Sequence, residues 1–551
     1  MPLTIRRRRT LGVLGSTAAA ALVLAGCAST GDTSASLDGI IVGTTDVITS
    51  LDPAGSYDNG SFSVKLQVFP FLMSSPLGNT EVEPDIAESA EFTSPNEYTV
   101  TLKEGLTFAN GNELTSSDVK FSFDRMVAIA DPNGPSALLA NLESTEAVDE
   151  TTVVFHLIAA NDQTFPKVLS SPGGQIADEE SFSATELTPS DEIVDANPFA
   201  GPYMITDYKE NELIQYEAFD GYQGLYGAPD TDSITAQYFT DETSLKLAVQ
   251  EGDVDVANRS LSPTDIADLR EDENVTVYDG PGGEIRYMVF NFNTMPYGND
   301  TPEADPAKSQ AVRQAMANLI DRTALSEEVY NDTYTPLYSF VPDGLEGANE
   351  SLKQAYGDGN GGPSVEKATQ VLAAAGVPTP VSLNLQYNSD HYGNSSDDEY
   401  ALIQSQLNES GLFNVELQST LWDTYNTEYR EGLYPVFQLG WYPDFVDADN
   451  YLTPFFLPTT SGSGDVSYSG FFGNGYDNPQ VADMIRQQAV TVDEAERSAL
   501  IGQIQDLLAQ DLSTLPFLQG AQVAVAAPDI TGVQDTLDAS FKFHYGALAR
   551  E

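Results

Sequence analysis

Leu102 to Met126 reads LKEGLTFANGNELTSSDVKFSFDRM, and the local structure it enforces sets the class of fold. Immediately upstream, Tyr98-Thr99-Val100-Thr101-Leu102 alternates at period two, as a half-buried strand does. Gly105 then turns the chain. Thr115-Ser116-Ser117-Asp118 has capping-box spacing, in which a hydroxyl and a carboxylate three residues apart satisfy the free amides that open a helix. Val119, Phe123 and Met126 place the apolar face of that helix. The same alternation of elements recurs downstream. Ser364 caps a helix with the stripe Ala368, Val371, Leu372 and Ala375, Gly376 ends it, and Pro378 follows. Val381, Leu383, Leu385 and Tyr387 alternate as a strand. A helix near Glu399 to Ser410, a strand near Phe413 to Leu417 and another from Tyr434 to Trp441 come next. This β-α-β order marks the residues after about 290 as a unit of their own, and the chain as α/β. Ser461 to Asp465 and Gly357 to Pro363 read as surface loops.

Composition narrows the function. The 551 residues carry 24 Lys and Arg against 83 Asp and Glu, a net charge of −59. Such a surface repels nucleic-acid phosphates and anionic lipids, so no nucleic-acid partner is expected. The acids are scattered and aromatics make up 10% of residues, which predicts a packed globule rather than an acidic tail. Arg6 to Arg9 precede an apolar stretch from Leu11 to Leu24, too short to span a bilayer comfortably, and then Leu24-Ala25-Gly26-Cys27. This reads as a signal peptide over 1–26, and the last four residues resemble the bacterial lipobox. Cys27, the only cysteine, is then the lipidation site that holds the protein to the membrane, and 27–37 is a flexible tether.

Chemistry-bearing clusters are sparse. His156, His391 and His544 are far apart, and His156 and His544 sit among apolar residues, as structural histidines do. There is no zinc-ligand spacing, no nucleophile elbow and no phosphate loop, so neither a metal, a cofactor nor an enzymatic activity is expected. Gly280-Pro281-Gly282-Gly283 lacks phosphate-cradle spacing and reads as a flexible crossover between lobes.

The segment from Leu102 to Met126 resembles the signature of the bacterial extracellular solute-binding proteins of family 5, with its Lys-x-Gly-x-x-Phe strand, Asn-Gly turn and Ser-x-Asp-Val helix. Thr49 to Pro53, Gly201-Pro202-Tyr203, Gln250 to Asp255, Asn291-Phe292-Asn293, Val312 to Ala315, Ile320 to Arg322 and Gly440 to Phe445 resemble further family segments in the same order. The resemblance implies a two-lobe, periplasmic-binding-protein-like fold that closes like a flytrap. Lobe I would hold 38–285, with 80–195 as an extra subdomain, and 516–551 as a C-terminal return. Lobe II would hold 286–515.

It also implies a role: a monomer that captures short peptides at the extracellular face of the membrane (the periplasmic side in a Gram-negative cell) and delivers them to an ABC permease. A non-peptide ligand, such as an oligosaccharide, an opine-like compound or a metal chelate, would keep the importer role. A sensory or interaction role would keep only the fold. Asp444 matches the aspartate of the family's aromatic loop and is expected to hold a peptide's α-amino group. Gly440, Trp441 and Tyr442 would line the cleft beside it, Tyr57 and Asn59 would face it from lobe I, and Asn291 would sit at the crossover. A peptide carboxylate needs a cation, and no motif selects between Arg286 and Arg430; Arg313 reads as part of a structural helix. Stacking on Trp441, Tyr442 or Trp422 would suit a sugar.

Overall fold

The computed structural model describes residues 39–460, 466–467 and 470–551. The signal segment, Cys27, the tether and the loop at 461–465 lie outside these residues.

Strands follow one another as β1 (Ile40–Thr44), β2 (Ala87–Ser94), β3 (Glu97–Leu102), β4 (Leu142–Ala147), β5 (Thr152–Leu157), β6 (Tyr203–Lys209), β7 (Leu213–Ala218) and β8 (Ser233–Tyr238). Then come β9 (Val256–Asn258), β10 (Thr276–Phe290), β11 (Tyr334–Pro336), β12 (Val381–Tyr387), β13 (Phe413–Ser419), β14 (Val436–Trp441) and β15 (Thr514–Ala526). Most belong to an eleven-stranded mixed sheet ordered β13-β12-β14-β10-β15-β9-β1-β8-β7-β6, with β11 pairing β15 off that path. The strands β2-β3-β5-β4 form a separate four-stranded sheet, antiparallel throughout.

Two long strands join the lobes. Thr276 to Gly280 of β10 pairs with Gln522 to Ala526 of β15, next to β9 in lobe I. Farther along, Glu284 to Val289 pairs with Thr514 to Gly520 on one edge and with β14 of lobe II on the other. The register shifts between Gly280 and Glu284, where Pro281-Gly282-Gly283 interrupts the ladder. The glycines are needed for close approach: a Cβ on Gly282 would lie 1.4 Å from the Gly520 carbonyl oxygen, and one on Gly283 would lie 2.3 Å from that of Ala539.

The run Ile285-Arg286-Tyr287-Met288-Val289-Phe290 is apolar on both faces because both are covered. Met288 and Phe290 join Leu383, Leu385, Val415 and Val436 in one core, while Ile285, Tyr287 and Val289 join Phe437, Leu439 and Tyr451 in another. Lobe I has its own core of Ile40, Val42, Ile214, Ile234 and Val256.

Helix α1 (Asn59–Val68) follows the Asp52-Pro53 loop, and α2 (Ser116–Ile129) packs on the small sheet through Val119, Phe123 and Met126. Thr115 and Asp118 form the capping box of α2 that the spacing predicts. From that helix Arg125 reaches Asp52, donating from Nη1 to Oδ1 at 2.8 Å and from Nη2 to Oδ2 at 2.6 Å. Asp52 also accepts from the amides of Ala54 and Thr188, at 2.8 and 2.7 Å. The family's opening loop and its signature helix are therefore one buried unit.

Two boundaries shift from their sequence expectation, for local reasons. β14 begins at Val436 rather than Tyr434, because Pro435 has no amide hydrogen for the ladder. The helix expected from Glu399 spans Ser395–Glu409, its first turn acidic at Asp397 and Asp398, as suits a helix N-terminus. Glu399 is fully buried, accepting from Tyr330 Oη at 2.6 Å.

Candidate functional site

Where β9, β15 and β10 lie side by side, the two lobes enclose a cavity of about 160 Å³. Ala521, Val523 and Val525 of β15 and Glu284 and Arg286 of β10 line it along the crossover strands. Lobe I adds Glu242, Arg259 and Phe541; lobe II adds Tyr334, His391, Tyr392 and Tyr442. At the rim, Asn394 Nδ2 donates across the lobes to Glu242 Oε2 at 3.4 Å.

Arg286 reaches the cavity because it stands in a strand whose neighbours are buried. It is 3% exposed, and its Nη2 donates to the Tyr392 carbonyl at 2.9 Å and to Tyr334 Oη at 3.2 Å. Its guanidinium lies 5.0 Å from the Tyr392 ring centre and 5.5 Å from that of Tyr334. Glu284, two residues earlier on the same face, is charge-paired to Arg286 Nε at 2.7 Å and accepts from Tyr334 Oη at 2.6 Å. Across the cavity, Arg259 donates to Asp46 Oδ2 at 2.5 Å. His391 stacks flat on Trp422, centroids 3.7 Å apart, and burial, with help from the nearby Arg286 charge, holds its imidazole down at about 4. His391 is therefore neutral at physiological pH, whereas Arg259, Arg286, Glu242 and Glu284 give the cavity fixed groups of both signs.

Of the residues singled out from sequence, Tyr442 lines this cavity, its ring edge-on to Phe541 at 4.9 Å. Asp444 and Tyr57 meet at a different interlobe contact, where Tyr57 Oη donates to Asp444 Oδ1. Asn450 Nδ2 donates to the other Asp444 oxygen at 2.9 Å. Burial pushes the Asp444 carboxyl up to about 6, against the lowering effect of Asn450 and Tyr57. The Tyr57 ring is 41% exposed while its hydroxyl end is enclosed, and burial plus the Asp444 charge raise that hydroxyl well above its usual value. Below this loop, buried Lys65 donates to Ser56 Oγ at 2.7 Å, fixing the residue before Tyr57.

The others are placed differently. Trp441 packs edge-on to Phe455 at 4.8 Å and donates from Nε1 to Asn450 at 3.0 Å, so its face is committed to lobe II. The Gly440 carbonyl accepts from the hydroxyls of Tyr287 and Tyr392 at 3.4 and 3.3 Å, and a Cβ there would sit 2.9 Å from the Tyr392 ring. The Asn291 side chain organises the turn after β10, donating to the Gly432 carbonyl at 3.0 Å and accepting from the Asn293 amide at 3.0 Å. Asn59 is half-buried at the start of α1, next to its capping residue Asp58. Arg430 bonds Asn426 at 3.0 Å on its own helix, and Arg313 bonds Ser309 at 2.9 Å and the Asp511 carbonyl at 3.3 Å. Of the arginines weighed from the sequence, the cavity takes Arg286.

A second interlobe contact lies at the extra subdomain. Lys167 Nζ, just after the small sheet, is 3.0 Å from Asp447 Oδ2 of lobe II, and the Gln163 amide donates to the Ala489 carbonyl at 2.8 Å. Asp447 is also held by Arg497 Nη2 at 2.6 Å. Burial alone would raise its carboxyl, but Lys167 and Arg497 outweigh that and hold it at about 2.

Among the described residues, no group of three His, Cys, Asp or Glu side chains is placed to hold a metal ion, and no helix is long and apolar enough to cross a membrane. Residues 81–463 match the family described as bacterial extracellular solute-binding proteins, family 5 Middle. Heme-binding protein A of Haemophilus influenzae is 25% identical over 94% of this chain and 95% of that protein. The dipeptide-binding protein of Escherichia coli is 25% identical over 79% of this chain and 80% of that protein. The crystal structure of the ABC transporter substrate binding protein CtaP from Listeria monocytogenes superposes with a TM-score of 0.76 at 23% identity, covering 93% of this chain and 99% of that one. A chain whose two lobes close on a charged cavity, and whose sequence matches that family over most of its length, belongs to the bacterial extracellular solute-binding proteins of family 5, ligand-capturing components of ABC importers rather than enzymes.

Proposed function

We propose that this chain, anchored through Cys27 at the outer face of the cell membrane, captures short peptides and hands them to an ABC permease. The observation that carries the reading is the interlobe cavity, which is small and lined by fixed groups of both signs. A peptide with free ends brings both signs of charge and many main-chain donors and acceptors. At about 160 Å³ the cavity is below the roughly 300–1,000 Å³ of drug-sized ligand sites, so a macrocycle such as heme does not fit this closed arrangement. A sugar would need an open aromatic face, but Trp422 is stacked on His391 and Trp441 packs on Phe455. The E. coli relative named for dipeptides agrees with a ligand of this size. Asp444 remains the proposed acceptor for the α-amino group, reached when Tyr57 swings away. Mass spectrometry of small molecules released on denaturing the purified protein tests the reading. Short peptides are expected; a sugar, a metal chelate or a porphyrin would overturn the peptide assignment and leave the transport role standing.

A further inference from the structure

We infer that the Glu284–Arg286 corner of the cavity receives the ligand's free carboxylate together with the N–H beside it, so that this chain reads the C-terminal residue of a peptide. The inference rests on the peptide reading above and names the group that reading leaves unassigned.

Three buried atoms carry it. Arg286 Nε, Arg286 Nη1 and Glu284 Oε1 have no hydrogen-bond partner among the described residues, although Arg286 is 3% and Glu284 4% exposed. The 2.7 Å between Nε and Oε1 makes a charge pair, but the N–H does not point at the oxygen, so both atoms keep their bonding capacity. The opposite side of each group is filled: Arg286 Nη2 by Tyr334 and the Tyr392 carbonyl, Glu284 Oε2 by Tyr334. Buried polar atoms are seldom left unpaired, and here the unpaired set is two donors beside one acceptor at the wall of a cavity. A peptide's last residue is the complement, with a planar carboxylate for the guanidinium edge and an amide N–H for the glutamate.

The opposite wall supports the assignment. Arg259 brings a second guanidinium, and it stands, like its neighbour Phe541, in left-handed backbone with φ of 62°. Bulky residues rarely adopt that conformation, and such strain concentrates at binding sites.

The test is equilibrium dialysis of the full-length protein in detergent against a synthetic mixture of dipeptides and the same mixture as C-terminal amides, with retained species quantified by mass spectrometry. Free acids should be retained at least about tenfold more tightly than amides, and Arg286→Gln should abolish the difference while still retaining both. If Arg286→Gln fails to fold, Arg286→Lys, which keeps the charge and loses the fork, should shrink the preference. Equal retention of acids and amides by the wild type, or an undiminished preference in the Arg286 variants, overturns the inference and leaves the peptide reading intact. Retention of neither mixture overturns both.

Discussion

Arg125 grips Asp52 through two parallel hydrogen bonds of 2.8 and 2.6 Å, both side chains almost wholly out of water. The pair ties the loop that carries Tyr57 to the helix that covers the small sheet. Removing one partner of a buried ion pair leaves an uncompensated charge, which costs about 3–5 kcal/mol. Arg125→Met is therefore expected to lower the urea midpoint by an amount in that range. It should also loosen the Tyr57 loop, read as faster amide exchange over residues 52–58.

The contact between Lys167 and Asp447 joins the lobes, whereas that between Arg497 and Asp447 lies within lobe II. The two should separate by readout. Lys167→Met is expected to leave the melting temperature nearly unchanged and weaken ligand binding roughly fivefold, the value of about 1 kcal/mol of closed-state contact. Arg497→Met should cost about 3 kcal/mol of global stability. Asp447, held at about 2, stabilises the fold above the unfolded carboxylate range and loses that contribution as pH falls from about 4 to 2.

Asp444 has the opposite sign. Its carboxyl is raised to about 6 in the folded protein, so the folded state holds a proton the unfolded chain has lost, and stability falls as pH rises from about 4 to 6. The stability of wild type minus that of Asp444→Asn is expected to decline across that window by up to roughly 3 kcal/mol. Taking the difference removes the opposing contribution of His391, whose lowered value makes stability rise with pH over a similar range. Thermal melts of both proteins from pH 4 to 7.5 check this; a constant difference would refute it.

Glycines at two kinds of position should respond differently. Gly282→Ala would put a methyl 1.4 Å from a backbone oxygen inside the crossover ladder, and a loss above about 3 kcal/mol or failure to fold is expected. Gly359→Ala, in the open loop at 357–363 with φ of 88° and nothing within 4 Å, should cost only about 1–2 kcal/mol of backbone strain. Chemical denaturation of the two variants compares them directly.

These examples show which parts of the molecule were legible in the sequence. The capping box at Thr115 and Asp118, the strand at Val381 to Tyr387 and the break at Pro281-Gly282-Gly283 each depend on residues within a few positions of one another, so spacing alone reveals them. The cavity does not, because Glu242, Arg259, Glu284 and Tyr442 come together only when β10 and β15 pair. A signal was nonetheless present: Glu284 and Arg286 are two residues apart inside an apolar strand, hence on one face, and a like-placed charge pair in a buried run demands a purpose. Trp441 misled because a large aromatic beside a cleft motif packs a core as readily as it lines a pocket, and Phe455 claims its face. Asn291 misled similarly, since an Asn at the end of a strand is a ready turn-former.

The lobes of this protein share a single sheet, with β10 and β15 running unbroken from one to the other except at residues 281–283. Closure is therefore the torsion of a paired ribbon, a leaf spring thinned at its midpoint, rather than the swing of two bodies on slack cords. A spring of this kind stores the twist of one state and returns it in the other, and the Glu284–Arg286 corner stands at the end of the thinned segment. A ligand seated there presses on the spring itself, so that occupancy of the cavity and the angle between the lobes become the same variable.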